Sequence, residues 1–496
     1  MEWKKRMKFI VKATNINFNR QIENILNLFN DENGEENTNE KVLIDLQYNI
    51  YINNIIVTSK TQIKDKIYYF SFNRKFINPE DTTKIIKKGI SIVLLKLLEQ
   101  LTDDKQGWGI LTGIRPLKLY HSKYNIKKSH VLVQKKLSEE YLIKEDKIIL
   151  MSEIAKRQLS IVPNLYCKKD DVSIYIGIPY CPTKCVYCTF PSYAINRKDE
   201  SIKIFLKTIN KEIQLIGRWL QETKRMVSTI YFGGGTPTSL EANELDKIFA
   251  NLANYIDFNK VREVTVESGR PDTITVEKLD ILNKWKVDRI SVNPQSFTQK
   301  TLDAIGRNHT VDEVIEKFNL ARSKGIKNIN MDLIIGLPGE NLDNIRNSFS
   351  QVENLDPDSL TIHTMAFKTA SYLAKNREEF TIAGKIEINK MMDYARNWST
   401  EHGYYPYYLY RQKNILGNLE NIGYSKKGKE SLYNILMMEE KQTIIALGCG
   451  AVSKLVSPDN EKVIRLPNPK DPKTYSENIE VLVKNKIEKL DQNFLK

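Results

Sequence analysis

The chain has 496 residues, 75 Lys and Arg against 61 Asp and Glu for a formal net charge of +14, and 41% apolar side chains. That length exceeds one ordinary domain and that apolar content supplies sizeable cores, which excludes a fibrous or wholly disordered protein. No run reaches the ~18–20 apolar residues of a membrane span, and no Lys/Arg block is interleaved with aromatics, so neither a membrane helix nor a nucleic-acid face is read here.

The first residues, MEWKKRMKFIVKATN, are basic but carry no apolar segment or small-residue cleavage site, so no signal peptide is read. Five cysteines, three of them bunched, do not make a disulfide framework, and a cytosolic protein is expected. Residues 1–165 are predicted to form a separate α/β domain. It contains a polar, Asn/Glu-rich loop at 30–40 and the Gly/Pro-punctuated segment GWGILTGIRPLKLY at 107–120.

From residue 172 β-branched runs alternate with stretches of helical period. The predicted strands are VSIYIGI (172–178), STIYFGG (228–234), REVTVES (262–268), RISVNP (289–294), NMDLIIG (330–336) and SLTIHTM (359–365). Helical stretches separate them, the pattern of a parallel sheet with right-handed crossovers. Six strands rather than eight predict a partial, open (β/α)6 barrel over residues 166–380. Residues 381–496 are predicted to be mainly helical, with an aromatic strip, YYPYYLYRQ, at 404–412 and a Gly-rich turn, LGCGAVS, at 447–453. The unusual sequences all follow strands, where the carboxyl ends of a parallel sheet form the active face.

The first of them is CPTKCVYC, with Cys181, Cys185 and Cys188 in a strand-to-helix loop. A structural zinc asks for a fourth Cys or His nearby, and His130, His309 and Cys167 are all distant in sequence. Three thiolates suit a 4Fe-4S cluster with one iron left open to a ligand. The remaining cysteines, Cys167 and Cys449, are read as bystanders. Gly233-Gly234-Gly235-Thr236-Pro237 closes the second strand, and its spacing alone permits a phosphate nest or another close backbone approach to a ligand. His309 and His363 fall on the same rim, with structural and catalytic roles both open.

The CxxxCxxC loop and partial barrel resemble the radical S-adenosylmethionine superfamily. Within it the chain is similar to the oxygen-independent coproporphyrinogen III oxidases (dehydrogenases), HemZ branch, which shares GWGILTGIRPLKL, RISVNPQSF and the stretch from YLYRQKNILGNLENIGY to MMEEKQTIIALGCGAVS. The resemblance implies a 4Fe-4S cluster on the three cysteines and S-adenosylmethionine as cofactor. It assigns the Gly234-Gly235-Thr236 turn to the methionine ammonium, Tyr175 to the sulfonium side and the Tyr187 backbone to adenine. Gln295, Arg307, Asp332 and Ala366 match cofactor-binding positions, and Glu267 sits one residue off the spacing of the cofactor-binding acid. Arg307 can hold a carboxylate through a bidentate fork, and an acid can bind ribose hydroxyls.

The reaction implied is reductive cleavage of the sulfonium, hydrogen removal from a propionate of coproporphyrinogen III, and loss of carbon dioxide to leave a vinyl group. Two rounds give protoporphyrinogen IX. The implied partners are the tetrapyrrole and an electron donor such as a flavodoxin or ferredoxin, and Arg270, Arg289 and Arg411 are candidate anchors for substrate propionates. Three departures from the oxidases bear on substrate. Phe190 stands where they carry a fourth cysteine, Asn293-Pro294 replaces the Gly region of SxGxQ, and residues 1–165 differ. A heme chaperone of the HemW type is one alternative, although Tyr433-Asn434 opens the segment where that branch has its HNxxYW motif. A radical methyltransferase or ring-opening enzyme acting on heme is another.

Overall fold

The computed structural model describes residues 7–13, 18–29, 40–113, 115–167, 170–196, 200–457 and 462–494. All but the last residue of the Asn/Glu-rich stretch at 30–40 lies outside them. The chain divides into two compact units, residues 1–153 and 154–496.

In the first unit β1 (Met7–Ala13), β2 (Glu40–Tyr51), β3 (Asn54–Ile63) and β4 (Lys66–Lys75) form a sheet in that order. β1 runs parallel to β2 and the rest are antiparallel. The burial alternation of β3 turns one side of the sheet to a core shared with α1 (Asn19–Leu26) and α2 (Thr82–Thr102). α3 (Pro116–Lys127) and α4 (His130–Tyr141) follow, and α5 (Glu145–Ile161) contains the boundary between the units. Pro116 opens α3, where its missing N–H costs nothing.

The second unit carries the six predicted strands: β5 (Val172–Ile178), β8 (Val227–Gly234), β9 (Glu263–Glu267), β10 (Arg289–Ser291), β11 (Ile329–Ile335) and β12 (Ser359–Thr364). Each pairs in parallel with the next in sequence, the winding of a barrel rather than of a doubly wound sheet. Their residues are buried nearly throughout, as a parallel sheet covered on both faces requires. Between β5 and β8 the short strands β6 (Tyr180–Cys181) and β7 (Tyr193–Ala194) pair and bracket the cysteine loop.

The connecting helices are α6 (Ser201–Glu222), α7 (Ala242–Ala253), α8 (Val276–Lys284), α9 (Gln299–Ala304), α10 (Val311–Ser323) and α11 (Leu342–Leu355). Their starts are written in the sequence. Glu241 with Glu244 and Asn341 with Asn344 make capping boxes on α7 and α11, and Thr275 and Thr310 cap α8 and α10.

Residues 381–496 supply α13 (Lys385–Glu401), α14 (Leu432–Glu439), α15 (Pro472–Glu477) and α16 (Ile479–Phe494), after the one-turn α12 (Tyr372–Lys375). They also supply five strands that the sequence reading lacked: β13 (Tyr405–Tyr410), β14 (Asn421–Ser425), β15 (Thr443–Gly448), β16 (Val452–Val456) and β17 (Val463–Pro467). β14 and β13 extend the sheet antiparallel beyond β12, and β15 adds a seventh parallel strand beside β5. This segment therefore belongs to the same compact unit as the barrel. No helix among the described residues is long and apolar enough to cross a membrane.

Candidate functional site

At the carboxyl ends of the parallel strands lies a cavity of about 620 Å³. All thirteen residues singled out from the sequence line it: the three cysteines, Tyr175, Tyr187, Gly234, Gly235, Thr236, Glu267, Gln295, Arg307, Asp332 and Ala366.

The cysteine loop is tied down on several sides. The Val186 amide donates to the Ile305 carbonyl at 3.1 Å, the Thr183 hydroxyl to the Gly306 carbonyl at 3.0 Å, and the Leu373 amide to the Val186 carbonyl at 3.0 Å. Arg270 clasps Thr183 at its hydroxyl (2.9 Å) and carbonyl (3.3 Å). The thiols are partly buried, and burial pushes those of Cys181 and Cys188 upward. Among the described residues no three His, Cys, Asp or Glu side chains converge as a single ion requires. A cube of iron and sulfide spreads its ligands wider than one ion does.

The glycine turn packs on the backbone of this loop. The amides of Gly235 and Thr236 donate to the carbonyls of Ile178 and Tyr180, each at 2.7 Å. A Cβ on Gly235 would stand 2.4 Å from the Tyr180 oxygen, so only glycine permits the approach. With both N–H groups spent, the turn is short of the donors that a phosphate nest needs.

Deeper in the cavity Tyr231 stacks on Tyr433 with ring centroids 4.3 Å apart, and Tyr175 stacks on Tyr231 at 6.1 Å. The Tyr231 hydroxyl donates to Glu267 at 2.5 Å. Burial pushes the Glu267 carboxyl up to about 7, with the Asp332 charge adding and the Tyr231 hydrogen bond opposing. Asp332 goes the other way. Burial would raise it, but His363, Asn330 and Thr361 together hold it below its ordinary value. Asn330 Nδ2 and Asn293 Nδ2 donate to its two oxygens at 2.7 and 2.8 Å, and His363 Nε2 lies 3.6 Å away.

Arg307 is buried and spans the Gly269 and Asn293 carbonyls at 3.0 and 2.8 Å. Its Nε is buried without a partner, as are Gln295 Oε1, Asn293 Oδ1 and Ser291 Oγ, all on residues lining the cavity. Gln295 also sits at φ 67°, a left-handed conformation costly for a residue with a side chain. Orphaned buried polar atoms of both signs fit a polar cofactor carrying a carboxylate, hydroxyls and a base. The residues present thus suit S-adenosylmethionine beside a cluster.

The other expectations divide. Arg270 and Arg289 line the cavity, but neither extends a free guanidinium into it: Arg289 is committed to Asn330, Ser359, Asn328 and the Lys429 carbonyl. Arg411 bonds Asn418 and the Leu419 carbonyl and does not line the cavity. His363 does line it; His309 is a buried ring off the cavity, pushed down to about 3 by burial and by Arg307 and Arg270. Cys167 is exposed, whereas Cys449 reaches the cavity wall with its thiol donating to the Lys470 carbonyl at 3.0 Å. Sequence reasoning missed Tyr231, Lys368, Met437 and Met438, and placed Tyr433 only within a motif comparison. A tyrosine inside the apolar run STIYFGG was the available signal for Tyr231.

A strand-wound α/β barrel with three cysteines after its first strand defines the class, and residues 175–352 match the Radical SAM superfamily. The cofactors of that superfamily are a 4Fe-4S cluster and S-adenosylmethionine. Across 490 residues the chain is 50% identical to the oxygen-independent coproporphyrinogen-III oxidase-like protein HemZ of Bacillus subtilis, covering 96% of each chain. The chain belongs to this HemZ-type family of radical SAM proteins. It is also 29% identical to the heme chaperone HemW of Bacillus subtilis, over 56% of this chain and 70% of that one. The coproporphyrinogen III oxidase HemN from Escherichia coli shares the fold, with a TM-score of 0.51 at 18% identity over 65% of this chain and 73% of that chain.

Proposed function

We propose that the protein carries out oxygen-independent oxidative decarboxylation of coproporphyrinogen III, converting two propionates to vinyl groups and giving protoporphyrinogen IX. The observation that carries this reading is the single cavity joining the cysteine loop, the orphaned polar atoms and a stacked tyrosine wall. Bound together, the cluster and S-adenosylmethionine supply one-electron cleavage of a carbon–sulfur bond and, from it, hydrogen abstraction. The electron comes from a donor such as a flavodoxin or ferredoxin.

The chain's own residues bind, orient and exclude water. Cys181, Cys185 and Cys188 hold the cluster. Arg307, with its unpartnered Nε, takes the methionine carboxylate, and the Gly234–Thr236 turn receives the ammonium. Glu267 and Asp332 accept ribose hydroxyls, Tyr187 and Ala366 flank adenine, and Gln295 supplies an unpaired acceptor. Tyr175 contacts the sulfonium side, and the stacked Tyr231 and Tyr433 form an aromatic wall beside a flat substrate.

The HemW relative favours a second reading as a heme chaperone. One anaerobic experiment separates the two. Reconstituted protein with S-adenosylmethionine, reductant and coproporphyrinogen III is expected to yield 5′-deoxyadenosine and vinyl product. Cofactor cleavage without decarboxylation, together with stable heme binding, overturns the proposal in favour of the chaperone.

A further inference from the structure

Among the described residues the cations lining the cavity are Arg270, Arg289, Arg307, Lys368 and Lys454. Four are already committed. Arg270 holds Thr183 and Asp272, Arg289 holds Asn330 and Ser359, Arg307 holds two carbonyls, and the Lys454 ammonium lies 3.3 Å from Met437 Sδ. Among the described residues Lys368 has neither a hydrogen-bond acceptor nor a carboxylate partner for its ammonium.

The position of Lys368 is nevertheless built. It follows β12 by four residues, and the backbone on either side is pinned by the Phe367 amide to the Asn414 carbonyl at 2.9 Å and the Leu373 amide to the Val186 carbonyl at 3.0 Å. Its half-buried side chain leans over the cysteine loop, with Nζ 5.8 Å from the centre of the Phe190 ring. Phe190 also lines the cavity and is 60% exposed, so its ring carries the ammonium while still offering apolar surface to the cavity. An anion entering the cavity would give this ammonium a charged partner.

Resting on the tetrapyrrole reading above, we propose that Lys368 anchors a substrate carboxylate, while Phe190 packs against the apolar ring that bears it. The pair recognises an anion carried on a flat apolar frame. Phe190 then marks a difference in substrate contact from the oxidases, which carry a cysteine at this position.

The test uses cluster-loaded protein with S-adenosylmethionine present and coproporphyrin III, the fluorescent oxidised porphyrin, as probe. Lys368→Gln is expected to weaken porphyrin binding about tenfold, the scale of one charge-assisted hydrogen bond, and Lys368→Arg to stay within about twofold of the native protein. Phe190→Ala should weaken binding while leaving its salt dependence intact. Cluster absorbance and S-adenosylmethionine affinity should be unchanged in all three, which also reports correct folding. Unaltered porphyrin affinity in Lys368→Gln overturns the anchor and leaves the proposed function standing. An altered cluster potential at constant porphyrin affinity assigns the cation to the cluster instead and likewise overturns it. Failure of the native protein to bind coproporphyrin III sinks the tetrapyrrole reading, and the anchor with it.

Discussion

Glu267 offers a measurable consequence of how the cavity is built. Burial lifts its carboxyl from 4.5 to about 7 in the folded protein. A group whose folded value is raised favours the native state while protonated, so its contribution is fully present below about 4.5 and is lost as pH rises through about 7. Between pH 5 and pH 8 that loss amounts to roughly 2.5 kcal/mol, from the linkage of the two proton affinities. Glu267→Gln removes the titration while keeping the acceptor that Tyr231 uses. Urea unfolding of the cofactor-free protein at both pH values should therefore show the variant gaining about 2–3 kcal/mol relative to the native protein on going to pH 8. Binding should trend oppositely. If Glu267 accepts ribose hydroxyls, S-adenosylmethionine affinity rises from pH 6 to pH 8 in the native protein and is flat in the variant. Parallel stability profiles for the two proteins would refute the claim that this carboxyl is held protonated by its surroundings.

Serine at Cys181, Cys185 or Cys188 should each abolish stable iron and sulfide incorporation, while Cys167→Ser and Cys449→Ser retain it; metal analysis and visible absorbance decide. Arg307→Met should weaken S-adenosylmethionine binding about 10–100-fold by calorimetry, with Arg307→Lys only partly restoring it, since the ammonium lacks the planar fork. Lys486 is buried 2.6 Å from Glu212, whose carboxylate also accepts from the Gly448 amide at 2.8 Å and the Tyr475 hydroxyl at 2.6 Å. Lys486→Met strands that charge and should cost about 3–5 kcal/mol, and the double variant Lys486→Met/Glu212→Gln should recover part of it. A double variant no more stable than Lys486→Met would argue against the stranded charge as the cause.

The barrel was legible because parallel strands buried on both faces are nearly continuous β-branched runs, and the helices between them begin at capping residues that can be read off the chain. Val172–Ile178 coincides with the expected run from end to end. The added strands were not legible for the same physical reason in reverse. TIIALG has the composition of a buried parallel strand, but its partner, VSIYIGI, lies some 270 positions earlier, and only long-range pairing brings them together. The candidate site was legible where a residue type carries its own chemistry, as with the cysteines and the glycine turn. It was less so where a role depends on what stays unpaired. Arg270, Arg289 and Lys368 are all cations near one rim, and only their hydrogen bonds distinguish clamp, brace and free charge.

The substitution at Asn293 illustrates how such a site absorbs a change. Where the oxidases of the sequence resemblance have glycine, a larger side chain needs both room and partners. Room comes from Gly269 on the neighbouring strand end: a Cβ at that position would lie 2.9 Å from the Asn293 amide nitrogen. A partner comes from Asp332, which accepts from that nitrogen at 2.8 Å, while the Asn293 carbonyl accepts from Arg307. Pro294 then interrupts the strand, and pairing resumes only at Gln295, whose amide donates to the Asp332 carbonyl at 2.9 Å and whose carbonyl accepts from the Ile334 amide at 3.0 Å. Those two ladder bonds hold Gln295 in its left-handed conformation with Oε1 unpaired. Asn293 thus meets Asp332 through its side chain and Arg307 through its backbone carbonyl, so substitutions at Asn293, Arg307 and Asp332 should couple rather than add.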